Sequence, residues 1–191
     1  MRSFAFAAVL IFAFGLAARP APAADQFALD PVHSSLLFKV KHLGVSYSYG
    51  RFNAPTGTIV WDSADPTKST FQISAKVESL DTGNAKRDGH LKSPDFFDGK
   101  QFPTIGFKST AVKPLADNKY EVTGDLTIRG TTRPITVVLE HVGTASGPQG
   151  GTKTGFDGQF TINRQDFGVA YMPQGIGNDV TIFVALEADK R

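Results

Sequence analysis

Eight successive stretches after residue 33 alternate apolar and polar residues, and their apolar faces are crowded with phenylalanine. In Phe71-Gln72-Ile73-Ser74-Ala75-Lys76-Val77-Glu78 every odd position is apolar and every even one polar. Only a two-residue period satisfies that pattern, so the segment reads as a half-buried strand. Tyr120 to Arg129 repeats it. Eight such strands are about the number that closes a barrel whose interior is either filled by side chains or holds one small apolar ligand. The fold class expected is therefore all-β, with eight strands closing a barrel.

The ends set the compartment. Met1-Arg2-Ser3 precedes an apolar run from Phe4 to Ala18, and Ala21-Pro22-Ala23 supplies small residues at a cleavage site. This is the pattern of a secretory signal peptide, residues 1–23, and the run is shorter than the roughly 20 residues of a spanning helix. The expected mature domain is residues 24–191, exported and periplasmic. Its 191-residue precursor has no cysteine, so neither a disulfide framework nor a lipid-attachment site is available. Cleavage removes Arg2 and Arg19 from the 20 Lys+Arg, which then balance the 18 Asp+Glu. A neutral chain without a Lys/Arg run lacks the electrostatic footprint of a nucleic-acid binder, so no nucleic-acid partner is expected.

Parity assigns the inward faces. They are Leu36, Phe38, Val40 and His42; Phe52, Ala54, Thr56, Thr58 and Val60, with Ile59 and Trp61 on the competing parity; Phe71, Ile73 and Ala75; Ile105, Phe107 and Ala111; Tyr120, Val122, Leu126 and Ile128; Ile135, Val137, Leu139 and His141; Phe156, Phe160 and Ile162; and Val180, Ile182, Val184 and Leu186. Asp117-Asn118 and Arg129-Gly130 read as tight hairpin turns, because Asn and Gly tolerate positive φ. Gly143 to Gly155 reads as a long glycine-rich loop. Ser79–Pro103 and Asn163–Asn178 are longer than a turn needs, and such loops in compact domains usually carry function. The first is expected to hold a short helix around Asn84–Leu91, then a helix start at Ser93-Pro94.

Catalytic signatures are missing: no cysteine nucleophile, no Gly-x-Ser-x-Gly elbow, no phosphate-cradling glycine loop and no His-Glu-x-x-His. The histidines, His33, His42, His90 and His141, lack short metal-ligand spacing, although His42 and His141 share inward parity. Arg87-Asp88-Gly89-His90 reads three ways: a salt-bridged turn that pins its loop, a contact for a ligand headgroup, or a catalytic cluster. The inward phenylalanines suit a packed core and a cavity equally. Small interior residues (Ala54, Ala75, Ser109, Ala111, Gly124, Gly158) tilt the balance toward unfilled space.

Several motifs occur in order: Asp30-Pro31-Val32-His33-Ser34, His42-Leu43-Gly44, Gly50-Arg51-Phe52, Ser79 to Asn84, Arg87-Asp88-Gly89-His90 through Phe97, Phe102-Pro103, Phe107 to Thr110, Gly124 to Pro134, and Asn163-Arg164-Gln165-Asp166-Phe167-Gly168. With these the chain resembles the YceI-like family of periplasmic, lipocalin-like polyisoprenoid-binding proteins, from Asp30 to the C-terminus. Phe102 stands where that pattern has Tyr. The resemblance implies an all-β, eight-stranded antiparallel, lipocalin-like barrel with a short helical cap segment between strands three and four and a hydrophobic pore for a long-chain isoprenoid, such as a quinone or its precursor, or a related amphiphilic lipid.

The expected function is accordingly a non-enzymatic carrier, with no catalytic residue, no metal and no cofactor other than the bound lipid. The rival readings are a stress-response scavenger of fatty amides or lipophilic toxins and a haem- or metal-linked redox accessory. Expected ligand contacts are Phe38, Val40, His42, Phe71, Ile73, Ala75, Phe107, Leu126, Ile128, Phe156, Phe160, Ile162, Val180 and Ile182, with Arg87, Asp88 and His90 at the polar end. The residues leave open a transient membrane-surface contact and the oligomeric state, a dimer included.

Overall fold

The computed structural model describes residues 24–148 and 150–191; the signal-peptide reading of residues 1–23 lies outside them. Eleven strand segments make eight barrel strands. The first is β1 (Asp25–Leu29) continued by β2 (Ser35–His42), the second β3 (Ser46–Phe52) continued by β4 (Thr56–Trp61), and the third β5 (Thr70–Lys76) continued by β6 (Leu80–Asp81). The single α-helix among the described residues, α1 (Ala85–Leu91), follows. Then come β7 (Thr104–Pro114), β8 (Lys119–Ile128), β9 (Thr131–Ser146), β10 (Thr152–Asn163) and β11 (Ile176–Lys190). Every ladder is antiparallel. β11 pairs β10 on one side and both β2 and β1 on the other, which closes the sheet. The fold is thus the expected closed eight-stranded antiparallel barrel.

Three local departures from the alternating pattern have identifiable causes. Between β3 and β4 the backbone turns through Ala54 at φ 48°, so Phe52 faces inward before the break and Ile59 and Trp61 after it. Ala54, Thr56, Thr58 and Val60 are therefore not the inner face. In β7 the register against β8 shifts between Ser109 and Ala111, which turns Ala111 outward and buries Val112. A bulge of this kind inserts one residue and reverses the parity beyond it. The expected Gly143–Gly155 loop is shorter than read: β9 runs to Ser146 and β10 resumes at Thr152. Phe27 and Leu29 of β1, outside the eight stretches, are buried in the core.

Along its axis the barrel has two unlike halves. At the end carrying both chain termini of the domain, Phe27, Ile59, Phe71, Val122, Phe156 and Ala188 are at most 1% exposed. Trp61 is the centre of an aromatic plug there, with Tyr120, His141 and Phe156 ring centroids at 4.9, 4.9 and 5.0 Å. The His141 ring reaches Thr154 Oγ1 at 3.0 Å, which supplies a polar partner inside the apolar packing. Toward the other end the inward side chains Leu36, Phe38, Val40, Phe107, Phe160, Ile182 and Val184 are only half-buried. They face open space. The β9–β10 ladder stops at Gly158↔Leu139, so in this half the wall beside Ile135 and Phe160 is not laced by strand pairing.

A division into plug and cavity predicts unequal costs for similar truncations. Phe156→Ala should destabilise by about 3–5 kcal/mol, because a fully packed ring leaves a void. Phe160→Ala, four residues along the same strand and facing open space, should cost about half that or less. Urea melts of the two variants measure the difference; equal losses would mean that both ends are packed alike.

Candidate functional site: an apolar cavity at the capped end

The open half is a cavity with free space of about 190 Å³. That is somewhat more than the roughly 150 Å³ apolar cavity that takes up a benzene ring. Its wall is built from the inner faces of all eight barrel strands: Phe38 and Val40, Phe52, Ile73 and Ala75, Ile105 and Phe107, Leu126 and Ile128, Ile135 and Val137, Phe160 and Ile162, and Val180 and Ile182, among others. Loops complete it from above. Leu91, Phe96 and Phe97 come from α1 and the turns after it, and Arg164, Phe167 and Val169 from the β10–β11 connection, with Ile176 at the start of β11. These loop residues carry no two-residue period, so strand parity could not place them; the paired Phe96-Phe97 in a polar loop was the available signal.

Of the expected ligand contacts, Phe38, Val40, Ile73, Ala75, Phe107, Leu126, Ile128, Phe160, Ile162, Val180 and Ile182 stand on this wall. Phe71 and Phe156 do not; their rings stack edge-to-face at 5.0 Å inside the plug. His42 lies at the exposed end of β2, at the opposite end of the barrel from His141, so the two share no site. The small inward residues are not the origin of the space either. A Cβ on Gly124 would lie 2.6 Å from the Phe107 ring, and one on Gly158 2.8 Å from Leu139, so larger neighbours already fill those gaps. Ser109 Oγ accepts from Phe71 N at 2.8 Å. Ala75 alone of that set lines the cavity.

The polar residues of the cap hold the loops rather than face the cavity. Asn84 caps α1 by accepting from Arg87 N at 3.0 Å. Arg87 donates through Nε to Thr82 Oγ1 at 2.8 Å and through Nη2 to Thr82 O at 2.7 Å. Asp88 accepts from Thr82 N at 2.9 Å. His90 pairs with Asp95 at 2.8 Å, and its ring meets Phe96 and Tyr171 edge-on at 5.0 and 5.1 Å. None of the three lines the cavity. Ser93-Pro94 opens a series of turns, not a helix; Ser93 O accepts from both Phe96 N and Asp98 N. Arg129 joins the two cap loops by donating to Gly168 O at 2.6 Å and Pro94 O at 2.8 Å.

Arg164 is the one ionisable side chain on the cavity wall, and it is 5% exposed. Its Nε, Nη1 and Nη2 donate to Gly177 O, Val169 O and Ile176 O at 2.9, 2.6 and 2.9 Å. No carboxylate pairs with it among the described residues, and burial lowers its pKa from the ordinary arginine value. Those bonds tie the start of the β10–β11 loop to its end. The guanidinium thus turns away from the cavity and leaves it a hydrocarbon wall with one hydroxyl, that of Ser74, whose Oγ donates to Ile105 O at 3.3 Å.

A second ionisable group of the structure lies on the barrel's flank. Asp30 accepts from Val32 N at 2.8 Å and contacts His33 Nδ1 at 2.7 Å. Asp30, His33 and Glu187 place three ligand atoms within 4.8 Å of one another. The cation already there is Lys153, whose Nζ lies 3.0 Å from Glu187, 3.4 Å from Asp30 and 2.7 Å from Asp189. The hydrogen bond that the His33 ring donates to Asp30 raises the His33 pKa, and the same bond holds the Asp30 carboxyl well below the usual range.

These groups give stability a dependence on pH whose signs differ. The raised His33 contributes below its unfolded value near 6.5, and that contribution fades as pH rises through the higher folded value. Burial lowers His141, so its contribution is present above about 6.5 and is lost as pH falls through the lower folded value. Asp30 acts in the same direction but only in stronger acid. Melting temperature should therefore fall on acidification below about pH 6.5, and His141→Gln should flatten that limb. An acid limb of unchanged slope in His141→Gln would assign the loss to other groups.

Comparison with known proteins agrees with this geometry. Residues 27–188 match the YceI-like domain. A UPF0312 protein of Vibrio cholerae is 41% identical over 140 residues, 73% of this chain and 74% of the relative. The crystal structure of Burkholderia cenocepacia BcnA superposes with a TM-score of 0.77 at 27% identity, covering 84% of this chain and 99% of that one. A polyisoprenoid binding domain from Saccharophagus degradans, 16% identical, shares the fold with a TM-score of 0.65 over 89% of this chain and 100% of its own. With the family match spanning the barrel from β1 to β11, the chain belongs to the YceI-like family.

Proposed function

We propose that this protein is a non-catalytic carrier that holds one apolar lipid chain, an isoprenoid such as a quinone or its precursor, in the capped half of its barrel, and that it works in the periplasm. The observation that carries the reading is the wall of the cavity: hydrocarbon contributed by eight strands and two loops, with its only cation turned onto backbone carbonyls. Such a wall cannot satisfy a polar headgroup, whose burial without partners costs several kcal/mol, so the ligand enters tail first and its head stays at the mouth. The aromatic plug sets the depth. The inner part of an isoprenoid chain fills the free space, and its remaining units extend toward the mouth.

Energetics suit exchange better than storage. Each buried CH₂ is worth about 0.8 kcal/mol against water, but a bilayer offers a chain an equally apolar environment. Transfer from membrane to barrel is then close to balanced, and small differences at the mouth decide its direction. No helix among the described residues is long and apolar enough to cross a membrane. The Saccharophagus degradans domain, described as binding polyisoprenoid, shares the barrel and supports the choice of lipid class.

Ala75 tests the reading. It stands on the wall opposite Ile105 of β7, so Ala75→Trp places an indole in the free space. Organic extraction of the exported protein followed by mass spectrometry should recover an isoprenoid from the wild type and little from Ala75→Trp, with a stability loss of no more than about 1–3 kcal/mol. Arg87→Ala serves as control: loss of its two bonds to Thr82 should soften the cap but leave the lipid yield within a few-fold. Equal lipid from wild type and Ala75→Trp, or none from either, contradicts the proposal.

A further inference from the structure

Several apolar residues at the capped end stay exposed: Leu43, Val45, Tyr171 and Met172. β2 and β3 form a hairpin at the capped end, and its turn is Leu43-Gly44, with Val45 N donating to His42 O at 3.1 Å. Both turn residues have positive φ, 49° and 75°. Asn, Asp and Gly adopt that geometry at low cost, and leucine does not. Yet Leu43 is 55% exposed and its neighbour Val45 85%, so neither side chain repays its position by packing. Met172, in the β10–β11 connection, is also exposed; it covers Gly175, whose carbonyl accepts from Leu43 N at 2.7 Å. Tyr171 beside it touches His90 and Phe96 of the cap.

The outer face of the same hairpin alternates tyrosine with cations. Cross-strand pairs set Lys39 beside Tyr49 and Lys41 beside Tyr47, and Lys39 Nζ lies 5.0 Å from the Tyr47 ring centroid. Arg51 continues the row, and the nearby acids are Asp81, paired with Arg51, and Asp179 on the neighbouring strand. Apolar tips, tyrosines with an apolar body and a polar end, and lysines with long apolar stems are the composition that settles at a bilayer surface. On the other face of β2, Phe38 and Val40 line the cavity.

Resting on the carrier reading above, we propose that the β2–β3 hairpin tip and the Tyr171–Met172 segment form a docking surface for a phospholipid bilayer. Leu43, Val45 and Met172 insert into the interfacial region while Lys39 and Lys41 meet anionic headgroups. The mouth then opens against the membrane, and a lipid chain passes between bilayer and cavity without crossing water. A second copy of the chain fits this surface less well, because the apolar residues cap the end of the barrel instead of following the free edge of β3.

Flotation with vesicles of phosphatidylethanolamine and phosphatidylglycerol tests the docking, using exported full-length barrel. Wild type should float with the vesicles, and Leu43→Asn combined with Val45→Ser should bind about tenfold less or weaker. Asn suits the turn, so the double variant should melt no lower than wild type. Its binding of dispersed geranylgeraniol should be unchanged, which separates docking from filling of the cavity. Wild type that stays off the vesicles, or a double variant that floats equally well, overturns the docking surface while leaving the carrier reading in place. A wild-type dimer that the double variant breaks, with flotation unaltered, assigns the surface to self-association and also overturns it. Failure of geranylgeraniol to bind either protein overturns the carrier reading instead, and flotation still decides the docking.

Discussion

The structure depends on β11. Its 15 residues pair with β10 along one edge, while the other edge is shared by β2 near the mouth and β1 near the plug. A sheet of eight strands has two edges to hide, and this double pairing joins them, while residues 46–50 of β3 stay paired on one side. Once the sheet is closed, every inward side chain must either pack or line a void, and the interior is decided by how many large side chains each level receives. The plug level receives Trp61, Phe71, Tyr120, His141 and Phe156 together, and nothing remains open. The mouth level receives phenylalanines and aliphatics around its perimeter, and the cap loops close over it without filling it.

Division of labour follows from that asymmetry. The plug supplies the stability that a protein without disulfides must find in packing, and it can afford one buried donor without a partner, Trp61 Nε1. The cavity half gives up packing for capacity. Its loops are held by backbone-directed arginines, Arg129 across the two cap loops and Arg164 within the second, so cations that could have made the cavity polar are spent outside it.

Strand existence, barrel closure and most of the wall were legible in the sequence because a two-residue period records which side chains point inward, independently of what they meet there. Tyr120 to Ile128 shows this without exception. Parity failed where the backbone itself changed phase: at Ala54, where a positive φ resets the alternation, and at Ser109–Ala111, where one extra residue does so. Depth was not legible at all. Phe71 and Ile73 are neighbours on one inner face, yet one belongs to the plug and the other to the cavity, because level along the barrel axis depends on the shear of all eight strands and not on local pattern. Arg87, Asp88 and His90 looked reactive for a related reason, since a polar cluster reads the same whether its partners are its own loop or a ligand.

Methyl NMR of the ligand-free protein titrated with geranylgeraniol tests the central claim that one barrel contains a dry plug and a lipid-holding cavity. The account predicts that methyls of Ile73, Ile105, Ile128, Ile162 and Ile182 shift together at saturation, while those of Leu29, Ile59 and Val122 stay in place. Shifts spread equally over both groups, or confined to the plug residues, would contradict it.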